Sequence, residues 1–182
     1  MKDIDGFEDA LKVLKPHWKD IESDFEKNNE VFLKLAALDH DSIGRVLRTH
    51  LIVEHFLNNF IADFYALEDF NSLKLTFAQK AKLVPSAGSG AAFVRPGIIQ
   101  LNSVRNKFGH RLEFNVDGHE VAAIHEVLRH ARPGVVFKGP VEAIEAFGPV
   151  ACAFLTVVPA KLRGVFQQAF ANLRSHEPYH ND

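Results

Sequence analysis

The chain has 182 residues, of which 47% are hydrophobic and 24% charged, enough to bury a core and too apolar for wholesale disorder. Its one cysteine, Cys152, sits in an apolar run and excludes an internal disulfide. A formal net charge of −2 is not the balance of a general nucleic-acid binder.

The charge is unevenly placed. Residues 1–73 carry eight Lys/Arg against fifteen Asp/Glu, whereas residues 74–138 carry ten against four. A basic middle third favours an anionic ligand near it. The stretch from Met1 to Lys15 holds four acidic residues and no long apolar run, so it does not read as a targeting signal. The apolar segment near 150–160 is too short to span a bilayer. The expectation is a cytoplasmic protein without membrane association.

In chain order, a helix is expected over Phe7–Leu14, with Pro16 ending or kinking it. A polar, acidic helix follows from about Trp18 to Leu38, with Ile21, Phe25, Phe32 and Leu35 as its inner positions. Asp39-His40-Asp41-Ser42 offers N-cap side chains for a long helix to about Leu67. Ile43, Val46, Leu47, Leu57, Ile61 and Phe64 share one stripe of it. Thr76–Val84 reads as a short helix. Ser86–Ala91 is a loop rich in Gly, Ser and Ala; without a Gly-Lys-Ser/Thr ending it is not a phosphate-binding loop. Pro96 suits the first turn of a helix over about 96–114. A further helix is expected over His119–Ala131, and a last one over Val141–Leu173, kinked or interrupted near Gly148-Pro149 and at Pro159. The fold class that follows is all-α: a bundle of five to seven helices, with residues 1–39 as a helical extension of a bundle over 40–182, compact as one domain.

Two helices carry the informative polar residues. On the helix after Pro96, Leu101, Val104, Phe108 and Leu112 face the core, with Arg105 at the edge of their stripe. Asn102, Asn106 and His110 form a separate seam, each four residues from the next. Arginine's planar fork suits two phosphate oxygens, and histidine exchanges a proton near neutrality. On the long helix, His50 and Glu54 fall inside the apolar stripe, where an unpaired carboxylate is costly. Arg105 is the leading candidate to neutralise Glu54, with His50 in the same network. An ordinary buried ion pair between two helices accounts for the same pattern.

Other chemistries lack their signatures. In His125-Glu126-Val127-Leu128-Arg129-His130, three residues separate Glu126 from His130 rather than the two of a zinc-protease helix. The Glu-x-x-His elements of a di-iron bundle are missing, and no Ser or Cys nucleophile motif is present. Neither a metal nor another cofactor is expected.

The segment Leu101–His110 resembles the signature of the HEPN superfamily: an Arg, then Asn, Asp or His, then three residues and a His, late in a helical bundle. Arg105, Asn106 and His110 fill these positions. The segment Thr49–Leu57, with Glu54, resembles the family's earlier long helix, and the likeness covers about residues 40–131. The resemblance implies a homodimer with motif helices face to face, forming a metal-independent endoribonuclease site. Arg105 would hold the scissile phosphate, His110 would move the proton or position the 2′-hydroxyl, Asn106 would orient, and Glu54 would brace Arg105. RNA would be the substrate, and a regulatory or antitoxin protein a partner, as in relatives that act as toxins or phage-defence effectors. Other HEPN-like proteins, the mannitol-repressor family among them, are associated with regulation without cleavage. A regulator working through protein contacts therefore stays open. No helix-turn-helix with a basic recognition helix is present, which argues against sequence-specific DNA binding.

Overall fold

Helical periods and a shortage of strand patterns govern the backbone. The computed structural model describes residues 7–36, 40–110 and 116–177. Among these, helices dominate, and the β structure is one isolated antiparallel bridge between Ala87 and Arg174. The all-helical expectation is met. The chain divides into two compact units, Met1–Leu38 and Asp39–Asp182.

The first unit contains α1 (Phe7–Leu14), a 3-10 turn at Lys15–His17 around Pro16, and α2 (Trp18–Ala36). Phe25 and Phe32, expected to face inward, are 71% and 65% exposed. No described side chain of this unit is buried. Ile21 is half-buried, and the side chain of Leu35 lies outside the described residues.

The second unit contains α3 (His40–Phe64), α4 (Phe77–Leu83), α5 (Ala91–His110), α6 (Ala122–Ala131), α7 (Pro140–Leu155) and α8 (Arg163–Phe170). Val46, Val53, Leu57 and Ile61 of α3 are fully buried, as their spacing requires, while Phe64 at its end is exposed. Each such burial contributes roughly 1.5–3 kcal/mol relative to exposure. Thr76 and Gln79 close a capping box on α4: the Gln79 amide N–H donates to Thr76 Oγ1 at 3.3 Å, and the Thr76 amide N–H to Gln79 Oε1 at 2.8 Å.

Two prolines behave differently from expectation. Helix α5 starts at Ala91 rather than at Pro96, because Ala91, Ala92 and Val94 bury their side chains and Ser89 Oγ accepts from the Ala91 amide at 3.3 Å. Pro96 thus lies inside the helix, where the Ala92 carbonyl loses its usual donor. In α7, Pro149 is accommodated without ending the helix. The break falls after Leu155, ahead of Pro159, and a 3-10 turn at Ala160–Leu162 leads into α8. The two arms meet at 88°, and among the described residues no single helix is long and apolar enough to cross a membrane.

Helices α3, α5 and α7 approach closely at glycines. A Cβ on Gly148 of α7 would meet Thr49 Cγ2 of α3 at 3.0 Å, and one on Gly97 of α5 would lie 2.5 Å from a ring carbon of Phe147, which is fully buried. Glu145 of α7 accepts from Arg45 and, at 3.0 Å, from Arg48 of α3. These bonds, that to Arg45 foremost, hold its carboxyl below the usual range. Alanine for glycine in a helix interior ordinarily adds about 1 kcal/mol. Here Gly97→Ala is expected to cost about 1–3 kcal/mol, because Phe147 has no space to yield. A urea midpoint equal to or above that of the wild type would show that the crossing is looser than this geometry.

Candidate functional site

The site is built where α3, α4 and α5 meet. Leu101, Val104 and Phe108 are buried and anchor α5 against the core; Leu112 lies outside the described residues. Their burial fixes the rotation of the helix. It leaves Arg105 exposed and Asn102 and Asn106 half-buried on an adjoining seam. Arg105 Nη1 donates to Asn106 Oδ1 at 3.2 Å, its one hydrogen-bond partner among the described residues. His110 is the last residue of α5, so its backbone continues the Asn102–Asn106 seam; its side chain lies outside the described residues.

Asn102 and Asn106 line a pocket of about 260 Å³ together with Ser103, Lys82 and Glu177. The neighbouring motif cation, Lys107, is engaged elsewhere. It binds Glu120, whose other oxygen accepts the Asp117 amide N–H at 3.1 Å. Lys107 therefore ties α5 to the turn before α6.

Glu54 does not pair with Arg105. Lys80 of α4 holds it instead, with Nζ 2.7 Å from Glu54 Oε1. The two side chains are only 11% and 25% exposed, and Lys80 also stands 6.0 Å over the Phe70 ring. The proposed brace for Arg105 is thus replaced by a lysine that the sequence reading missed. Its capping-box helix was legible, but which helix would face Glu54 was not. A second buried cation, Arg95, also escaped notice. Its Nε donates to the Val84 carbonyl at 3.0 Å and its Nη2 to Glu177 at 3.1 Å, fixing the segment after α8.

His50 shares this neighbourhood. It is 5% exposed, stacks on Phe77 with ring centroids 4.1 Å apart, and its Nε2 makes no hydrogen bond. Burial pushes the imidazole below its ordinary range; Glu54 opposes this, Arg105 adds to it, and Asn102 favours the protonated ring. His50, Glu54, Asn102 and Arg105 thus come together, without the direct pairing of Glu54 and Arg105.

In the zinc-like segment Glu126 is taken up by its own helix neighbours. Glu126 Oε1 accepts from Arg129 at 2.7 Å and lies 3.2 Å from His130 Nε2, all three exposed. Among the described residues no three His, Cys, Asp or Glu side chains converge as metal ligands do. Burial raises the Cys152 thiol above its ordinary pKa, which makes it a packing residue.

The second unit is an all-α helical domain whose motif helix presents an arginine and two asparagines beside a small pocket of mixed apolar and polar lining. No family model, no curated protein and no solved structure matches the chain.

Two outcomes follow. Glu54→Ala leaves the Lys80 ammonium buried and unpaired and is expected to cost about 3 kcal/mol, most of which Glu54→Leu combined with Lys80→Met restores. Unchanged thermal unfolding of Glu54→Ala would remove the pair from the account. The neutral His50 of the folded chain stabilises it fully above the ordinary imidazole value of 6.5, and that contribution falls as pH drops from 6.5 through the lower native pKa. His50→Leu should therefore lose less stability than the wild type between pH 7 and pH 5.5, measured by urea titration. Parallel losses would mean that His50 does not titrate differently in the two states.

Proposed function

We propose that the chain is a metal-independent endoribonuclease of the HEPN type, active as a homodimer. The observation that carries this reading is Arg105: exposed, free of any carboxylate partner among the described residues, and hydrogen-bonded to Asn106 at the wall of the pocket that Lys82 also lines. A guanidinium left without a carboxylate suits a phosphate. In the proposed reaction the ribose 2′-oxygen attacks the adjacent phosphorus while His110 takes its proton. The P–O5′ bond breaks, and the 5′-oxygen is protonated by the second His110 of a composite dimer site. Products carry a 2′,3′-cyclic phosphate and a 5′-hydroxyl. Arg105 neutralises charge growing on the non-bridging oxygens, and Asn106 holds the guanidinium in place.

Incubation of the full-length protein with a structured RNA in EDTA tests this. Cleavage is expected, with Arg105→Ala and His110→Ala each slowing it by about a hundredfold or more. Arg105→Lys should recover little, because a point charge does not replace the fork. Equal cleavage by wild type and both variants, or cleavage abolished by EDTA, would refute the assignment.

A second reading is a non-catalytic regulator working through protein contacts. The first unit favours it: Trp18, Phe25, Phe32 and Leu33 are all at least half exposed on α2. Absence of RNA cleavage, together with stable capture of a protein partner that substitution of these residues abolishes, would put this reading first.

A further inference from the structure

A pocket of about 640 Å³, open to solvent on one side, lies far along α5 from Arg105, bordered by the end of α3, the start of α5, the end of α7, and α8. Protein interiors close to crystalline density, with few voids larger than a water molecule, whereas ligand sites span roughly 300–1,000 Å³. Five phenylalanines line it: Phe60, Phe64, Phe154, Phe166 and Phe170. Their rings present both faces and edges. Phe60 and Phe64 stack at 5.4 Å, Phe154 meets Phe170 at 6.1 Å with planes 66° apart, and Phe166 meets Phe170 at 5.8 Å.

We propose that this cavity binds an uncharged, ring-bearing apolar small molecule. Its only charged lining groups, Asp63 and Arg163, pair with each other at 3.4 Å, so neither sign of ligand charge is selected. The lining hydroxyls are engaged as well. Ser89 Oγ accepts the Ala91 amide N–H, and Thr156 Oγ1 donates to the Cys152 carbonyl at 2.9 Å. Gln167 makes no side-chain hydrogen bond among the described residues, and its carboxamide can orient one carbonyl or hydroxyl of the ligand. Ring faces and edges recognise other aromatic systems, through offset and edge-on contacts, better than they recognise flexible chains.

Helix α8 has no buried residue of its own, yet it is fastened at both ends. Before it, the chain bends by 88° after Leu155, and Arg163 in its first turn pairs with Asp63 of α3 at 3.4 Å. After it, the Gly88 amide N–H donates to the Leu173 carbonyl at 3.0 Å, and the Ser175 amide N–H to the Ser86 carbonyl at 2.8 Å. Placed this way, α8 borders the pocket without burying a residue of its own. Phe64 and Phe166 remain 48% and 42% exposed, surface that an apolar occupant would take out of water.

The test is fluorescence titration of the full-length protein with 1-aminoanthracene, an uncharged tricyclic probe. Saturable binding of one molecule per chain with blue-shifted emission is expected. Ala153→Trp, at an exposed position of α7 on the cavity wall, should fill the space and weaken binding by about tenfold or more; Phe166→Ala should weaken it several-fold. Absence of saturable binding, or equal binding by both variants, would overturn the proposal. Displacement of the probe by a tighter-binding anionic dye, anilinonaphthalene sulfonate, would overturn the uncharged class. Binding lost at higher protein concentration as a heavier particle forms would assign the cavity to a second copy of the chain, and so against a small molecule.

Discussion

A carboxylate set into the apolar stripe of α3 must be neutralised, and the way Glu54 meets that requirement decides which cations remain for a ligand. Lys80 reaches it at 2.7 Å from α4, under cover, with a side chain able to place one compact charge at one oxygen. Lys107 is similarly taken up by Glu120. Arg105 is left with Asn106 for a neighbour. Had the fork of Arg105 closed on Glu54, the pair would have been a structural cross-link between α3 and α5 with nothing to offer solvent. The lysine bridge therefore supplies the structural tie and leaves the arginine exposed.

Much of this arrangement was legible from spacing. Val46, Leu57 and Ile61 recur at helical intervals and are buried, and Leu101, Val104 and Phe108 fix the rotation of α5, although Arg105, expected at the core margin, stands exposed. The Thr76–Gln79 box marks the start of α4 outright. The partner of Glu54 was not legible, because periodicity orients a helix against a core but does not say which neighbour occupies it. Lys80 lies 26 residues away on a helix of seven, too short for a convincing stripe. The start of α5 was misplaced for a related reason. Proline's preference for a first turn lost to the burial of Ala91, Ala92 and Val94 upstream of it.

The first unit shows the limit of amphipathic patterns from the other side. Its two helices alternate apolar and charged residues as core-facing helices do, yet Phe25 and Phe32 stand exposed. Periodicity states that a helix has an apolar face; it carries no information on what covers that face.

Local rules are broken together around α5. Pro96 sits inside the helix, His50 packs a ring nitrogen without a partner, and Glu54 lies in an apolar stripe. Such conflicts are tolerated where some other requirement outweighs them, and two of them, His50 and Glu54, fall at the junction of α3, α4 and α5 near Arg105. The cavity beneath α8 borders the opposite end of the same helix, about 20 Å away along its axis. A ligand there could influence Arg105 only by favouring one of two arrangements of α5. Between the two ends, Gly97 lies so close to the Phe147 ring that a Cβ there would meet a ring carbon at 2.5 Å, so any such rearrangement of α5 would have to carry Phe147 with it.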